Sequence, residues 1–233
     1  MVIGNGLIGK TFREKYGERD DVLIFASGVS NSREQRASEY ERERKLLEQH
    51  VTRNGVERQF VYFSTISIYD PSLKNNPYQQ HKLAMEGYLK DTSTNYLIVR
   101  APNVIGHGGN KTNLLNFLHD RIDQGEPFEV WEHAERNILD VHDLFILVDR
   151  LIEKKITSAT IDLVYPHTYA ILEIVAVMEA CLLKRAHTTV VPRGESYVPD
   201  ISKQVRQLYR EAGVYVNKDY LARVVRHNFE CNR

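Results

Sequence analysis

Three glycines near the start constrain this chain more than any other residues. Met1-Val2-Ile3-Gly4-Asn5-Gly6-Leu7-Ile8-Gly9 sets a Gly-x-Gly-x-x-Gly directly after an apolar run and before a helix-like segment. A strand, a tight turn and a helix N-terminus that together receive a pyrophosphate need that order. Gly4 permits the turn, Gly6 lets the backbone approach the phosphate, and Gly9 lets the helix pack closely on its strand. Leu7 and Ile8 then open a helix whose N-terminus faces the anion. The strand itself is short, Met1 to Ile3 against the usual ~5–6 residues, which points to a clipped strand or a late start.

A second stretch carries chemistry. Phe60-Val61-Tyr62-Phe63 reads as a buried strand that delivers Ser64 and Thr65 at its end, where open parallel sheets place their ligands. Tyr78 and Lys82 follow on a helix that Pro77 starts cleanly. Four residues apart, the phenol and the ammonium share a helix face. A nearby cation favours phenolate and lowers the tyrosine pKa, making it a usable general acid or base, with the Thr65 hydroxyl holding the substrate oxygen. The bland reading of Tyr-x-x-x-Lys alone is a surface pair.

Bulk properties narrow the partners. The 233 residues suit one domain, or one with a small annex. Lys+Arg 31 and Asp+Glu 31 cancel, so nothing calls for nucleic acid or a membrane surface. No apolar run is long enough to span a membrane, and a cytoplasmic location is expected. Cys181 and Cys231 have no metal-ligand spacing, so no metal is expected, and in a cytoplasm both are expected to stay reduced.

The fingerprint, a hydroxyl after a strand and Tyr-x-x-x-Lys, in this order, resemble the short-chain dehydrogenase/reductase family. The finer match is to its extended branch of sugar-nucleotide epimerases, dehydratases and reductases. Ser64-Thr65-Ile66-Ser67-Ile68-Tyr69 is similar to that branch's Ser-Thr/Ser-x-x-x-Tyr signature and selects Thr65 over Ser64. Dehydratases of the family carry Asp-Glu after the threonine; Ile66 and Ser67 stand here, which argues against 4,6-dehydration. Arg100-Ala101-Pro102-Asn103-Val104-Ile105-Gly106 resembles the turn in which Asn103 would touch the nucleotide-sugar and Pro102 would lie near the nicotinamide. Glu135 to Leu144 resembles the family's Arg-Asp-Phe-x-His-Val-x-Asp-Leu segment. There Arg136 would hold the substrate pyrophosphate, while Asn137 replaces an aspartate and Asp140 a histidine. Pro199-Asp200-Ile201-Ser202-Lys203 looks like the family's terminal unit, with Asp200 able to cap a helix.

The resemblance implies a trimmed Rossmann fold, a doubly wound parallel α/β sheet with a small C-terminal substrate-binding portion. Residues 1–105 and 139–156 would mainly bind the dinucleotide, and 106–138 and 157–233 mainly the substrate. About one strand–helix–strand unit is missing, because only a short charged turn separates the first helix from Val22-Leu23-Ile24-Phe25-Ala26. Losing the second and third strands trims a sheet edge, whereas losing the fourth removes a central neighbour. The strand at 22–26 is therefore read as the one usually fourth, with Ala26 and Ser27 in the cofactor turn. Were it the second, Ser27, Ser30 and Arg33 would suit a 2′-phosphate.

The implied activity is an NAD- or NADP-dependent oxidoreductase or epimerase acting on a nucleoside-diphosphate sugar, by 4-keto reduction or 4-epimerisation, in bacterial surface polysaccharide synthesis. Thr65, Tyr78 and Lys82 would be catalytic, Lys82 also binding the nicotinamide ribose, and Ser67 would join Asn103 and Arg136 at the substrate. The resemblance allows a homodimer. The rival reading is a dinucleotide-binding sensor without turnover. It draws on the absent adenosine strands and on the lack of an asparagine that relatives carry in the helix spanning Arg33 to Asn54. In that helix the run Glu41-Arg42-Glu43-Arg44 reads as a solvated face. His107 to Thr112 reads as a glycine-rich lid.

Overall fold

Val22 and Ile24 pack into one hydrophobic cluster with Phe12 and Tyr16, while Leu23 and Phe25 pack into a second with Leu47, Met85 and Leu89. Val61 and Phe63 likewise join the first and Phe60 and Tyr62 the second. A strand turns alternate residues to opposite faces, so continuous apolar runs of this kind require cover on both sides. The computed structural model, which describes residues 1–53, 58–109 and 113–231, supplies that cover with helices.

The first half alternates strand and helix: β1 (Val2–Ile3), α1 (Leu7–Tyr16), β2 (Val22–Phe25), α2 (Ala37–Arg53), β3 (Gln59–Thr65), α3 (Pro77–Thr92) and β4 (Tyr96–Ala101). Two short 3-10 turns, Ile66–Tyr69 and Pro71–Leu73, link β3 to α3. Then come β5 (Asn103–Ile105), α4 (Leu114–Gln124), β6 (Phe128–Trp131), β7 (Glu135–Asp140), α5 (Val141–Glu153) and β8 (Ala159–Asp162). The chain continues with β9 (Thr168–Ala170), α6 (Ile171–Leu182), β10 (Thr188–Val191), α7 (Lys203–Glu211) and α8 (Tyr220–Asn228).

The main sheet runs β1-β2-β3-β4-β8, every pair parallel. Residues of α1 and α5 cover one face, those of α2 and α3 the other. β2 lies between β1 and β3, as the edge-deletion argument expects, and β1 is left as the edge strand. Two small sheets, β5-β7-β9 and β10-β6, stand apart from it. Ile171, Ile174, Val175, Met178 and Leu182 of α6 are all buried, as their spacing predicts.

The structure corrects four readings of the sequence. Glu43 is not on a solvated face: it is 0% exposed. Ser202, not Asp200, caps α7, accepting from the Val205 amide at 3.1 Å. Tyr78 is not eased toward ionisation, as the site geometry shows. Cys181 and Cys231 are not separate thiols but form a disulfide, with Cα atoms 4.6 Å apart. α8 packs against α6 and brings its C-terminal end to the α6 cysteine, a juxtaposition that 50 residues of separation concealed. Of the expected lid, residues 110–112 lie outside the described residues.

A covalent link closing a loop of this length restricts the unfolded chain, typically stabilising by ~2–4 kcal/mol. Adding a reductant is expected to lower the urea midpoint of the wild type and leave that of Cys231→Ser unchanged. Equal response of both proteins would show that the bond does not form in solution.

Candidate active site

The glycine turn, Ala26, Ser27, Thr65 and Pro102 lie at the C-terminal ends of the parallel strands β1 to β4. At the end of β1, Gly4 has φ +117°, and a Cβ there would sit 2.3 Å from the Ala26 carbonyl oxygen. Only glycine tolerates both the conformation and that approach. A Cβ on Gly9 would meet the Gly4 carbonyl at 2.4 Å, so α1 packs directly on its own turn. Gly6, the N-cap of α1, faces open space, and the first turn of the helix holds no acidic residue. An anion-receiving helix end has those properties. Leu7 and Ile8 are half-buried, Leu7 so close to Gly106 that a Cβ there would lie 2.5 Å from its Cδ1. Ser27 is held from α2: Arg42 donates to its carbonyl at 3.2 Å and its hydroxyl at 3.1 Å.

β3 ends in two hydroxyls with different employment. Ser64 donates to the buried Glu86 at 2.6 Å, and Glu86 also takes the Arg100 guanidinium at 2.9 and 2.6 Å. Thr65 Oγ1 instead accepts the Ser67 amide at 3.0 Å, capping the following 3-10 turn, and meets the Tyr78 hydroxyl. Asn76 caps α3 by accepting from the Tyr78 amide at 2.8 Å, with Pro77 at the first helical position. This fixes where Tyr78 starts its helix. Its phenol is buried, which pushes its pKa well above 10.0; the Thr65 hydrogen bond opposes the shift, and the charge of Glu43 adds to it.

Lys82 is 2% exposed and donates to Glu43 Oε1 at 3.0 Å and to the Tyr62 hydroxyl at 3.3 Å. Tyr62 donates to the same carboxylate oxygen at 2.7 Å, and the Val29 amide donates to Oε2 at 2.6 Å. His81 Nε2 stands 3.1 Å from Oε2. Burial acts to raise the Glu43 pKa, but the Lys82 ammonium and these donors outweigh it and hold the carboxyl well below 4.5. A Cβ on Gly28 would lie 2.5 Å from Lys82 Nζ, so the turn after β2 closes directly over the ammonium.

On the opposite rim, Asn103 donates from Nδ2 to the Asn137 carbonyl at 3.1 Å, and Pro102 before it is half-buried between β4 and β5. Arg136 on β7 lies over the Tyr197 ring at 5.2 Å from its centroid. Tyr197 in turn contacts Ser67. Thr65–Tyr78 and Lys82–Glu43 are thus joined to Ser67–Tyr197–Arg136 through the Ser67 amide on Thr65. Asn103 and Arg136 make no direct contact in the bonds described.

Sequence reasoning missed Glu43, Tyr62 and Tyr197. A signal for Glu43 was present: Tyr40, Glu43 and Leu47 recur at three and four residues, the inward stripe of α2. The alternating charges around it hid the stripe. Nothing local marks Tyr197, which lies far along the chain from the residues it meets.

No functionally curated protein matches the chain significantly. Solved structures do share its fold. RMD from Pseudomonas aeruginosa, solved with NADPH, superposes with a TM-score of 0.73 at 17% identity, over 97% of this chain and 97% of that one. A dTDP-4-dehydrorhamnose reductase from Clostridium acetobutylicum gives 0.70 at 16%, over 94% and 84%. The UDP-glucose 4-epimerase of Thermus thermophilus, solved with NAD, gives 0.68 at 16%, over 94% and 80%. No helix among the described residues is long and apolar enough to cross a membrane. Residues 18–164, a span that includes Thr65, Tyr78, Lys82, Asn103 and Arg136, match the model of the NAD dependent epimerase/dehydratase family, to which this chain belongs.

Proposed function

We propose that the chain is an NAD(P)-dependent enzyme that reduces the 4-keto group of a nucleoside-diphosphate sugar or epimerises the sugar at that carbon, in the building of bacterial surface polysaccharide. The observation that carries this reading is the Tyr78 phenol in contact with Thr65 at the C-terminal edge of a parallel sheet that also ends in a glycine turn built for a pyrophosphate. The family is described as NAD dependent, and solved neighbours carry NAD or NADPH.

The residues present fit a dinucleotide. Gly4, Gly6, Leu7, Ile8 and Gly9 would cradle the pyrophosphate, Ala26 and Ser27 would line the passage to the nicotinamide, and Pro102 would border it. When bound, the nicotinamide supplies or accepts a hydride. Tyr78 gives a proton to the sugar oxygen or takes one from it, with Thr65 holding that oxygen within hydrogen-bond reach. Lys82 would bind the ribose next to the nicotinamide, once the turn at Gly28 gives way above its ammonium. Ser67, Asn103 and Arg136 orient the sugar nucleotide, the planar guanidinium of Arg136 suiting bidentate phosphate contact. Residues 1–105 and 139–156 serve mainly the dinucleotide, and 106–138 with 157–233 mainly the sugar nucleotide.

Absorbance of NAD(P)H, followed with a panel of keto-sugar nucleotides, tests this directly. Turnover is expected with at least one, and neither turnover nor dinucleotide binding would sink the proposal. Dinucleotide binding by calorimetry without any affinity for sugar nucleotides would favour the sensor instead. Tyr78→Phe is expected to lower kcat/KM by ~10²–10⁴-fold with the fold intact, the usual contribution of a general acid or base. Arg136→Ala is expected to raise KM with kcat largely retained. Full activity in Tyr78→Phe would refute the catalytic assignment.

A further inference from the structure

Resting on that reading, we infer that Glu43 is a positioning residue for proton transfer: its buried carboxylate holds Lys82 under the 26–29 turn and balances the ammonium.

Glu43 is wholly enclosed and its acceptor capacity is committed to groups of the site. Oε1 takes Tyr62 from β3 and Lys82 from α3, and Oε2 takes the Val29 amide from the turn after β2. One carboxylate thus fixes the catalytic helix, the central strand and the cofactor turn relative to each other. A surface carboxylate has no reason to be placed so. Burying one is unfavourable unless it is paired and hydrogen-bonded, and here every requirement is met by residues of the proposed reaction site.

The charges around the phenol explain why this matters. Tyr78 is faced by Thr65 and Tyr62 from β3, Glu43 and Tyr40 from α2, and Tyr197 from the segment before α7. Glu43 is faced by Lys82 and His81 from α3, Tyr62 from β3 and Tyr40 alongside on α2. A lone ammonium at Lys82 would draw Tyr78 toward phenolate. With Glu43 beside it the pair is neutral overall, and the carboxylate disfavours phenolate. Burial is the main reason Tyr78 stays protonated through neutral pH, and the Glu43 carboxylate adds to it. Removing that negative charge takes away one of the influences that hold the phenol protonated, so Tyr78 ionises at lower pH.

Phenolate absorbance across an alkaline titration reads this without turnover, taking the difference between each protein and its Tyr78→Phe counterpart. Glu43→Gln keeps the shape and removes the charge. Its Tyr78 midpoint is expected to fall by about one pH unit or more, a tenfold change in phenolate at a given pH. The alkaline limb of kcat/KM is expected to move the same way. An unmoved midpoint would overturn the inference and leave Glu43 a structural residue. If Glu43→Gln does not fold, Glu43→Gln/Lys82→Met removes both charges at once, and its midpoint is expected to lie near that of the wild type. A midpoint at the ordinary value of an exposed phenol in that variant would count against charge balance as the cause. A shift in the titration together with no turnover in the wild type would leave this inference standing and sink the enzymatic reading alone.

Discussion

Direct pairing of β1 with β2 is the constraint on which the rest of the structure depends. Val2 and Ile3 register with Ile24 and Phe25, and the Ala26 amide donates to the Ile3 carbonyl at 2.7 Å. With no strand–helix unit inserted between α1 and β2, the turn at 26–28 arrives against Gly4, and α2 starts within reach of α3. A trim at this edge leaves β2, β3 and β4 each with a neighbour on both sides, so the buried centre keeps its full ladder. The two-residue edge strand itself is tied down from its terminus, where the Met1 ammonium donates to the Val22 carbonyl at 2.9 Å. Shortening the sheet therefore spares the crevice above its C-terminal edge.

Two buried carboxylates then fix the helices on one face of β3. Tyr62 and Ser64, two residues apart and so on the same side of the strand, donate to Glu43 of α2 and Glu86 of α3 respectively. Each acid is answered by a base, Lys82 for Glu43 and Arg100 for Glu86. Pairs of this kind are weak evidence for stability, since desolvation offsets most of their attraction, yet removing one partner leaves an uncompensated charge. Their effect here is geometric. Sliding α3 along β3 by one turn would break both sets of contacts together, so the phenol and the ammonium hold one placement relative to Thr65.

Local pattern carried most of the fold and part of the site. Strands showed as apolar runs, helix starts as Pro77 or as a glycine turn, and the order of β2 followed from asking which deletion leaves a sheet intact. Thr65 was separable from Ser64 through the resemblance of its spacing to Tyr69 to the family's signature, and the structure gives the two hydroxyls different partners. Contacts that depend on distant segments were illegible. Cys231 meets Cys181, Tyr197 meets Arg136, and Glu43 meets Lys82 across 39 residues, each pairing created by packing and not by any local motif. The pKa reasoning failed because packing buries the phenol: desolvation raises its pKa, and the charge of Glu43, brought in from α2, adds to the rise.

The two departures from the family's segment at 136–144 have a hydrogen-bond logic of their own. Asn137 is 1% exposed and uses both ends of its amide: Nδ2 donates to the carbonyls of Tyr165 and His167 at 2.8 and 2.9 Å, and Oδ1 accepts the Tyr165 amide at 2.7 Å. A carboxylate has acceptors only, so an ionised aspartate here would set negative charge against two buried carbonyls. Asp140 performs the complementary task. Its Oδ1 caps α5 through the His142 amide at 2.8 Å, and its Oδ2 accepts Asn228 from the end of α8 at 2.8 Å. Histidine has no oxygen with which to accept both bonds. Since Tyr165 stacks on Tyr220 at 3.8 Å between ring centroids and Tyr220 receives the Asp140 amide, the two substitutions act on one junction. They clamp the C-terminal helices to β7, the strand that carries Arg136.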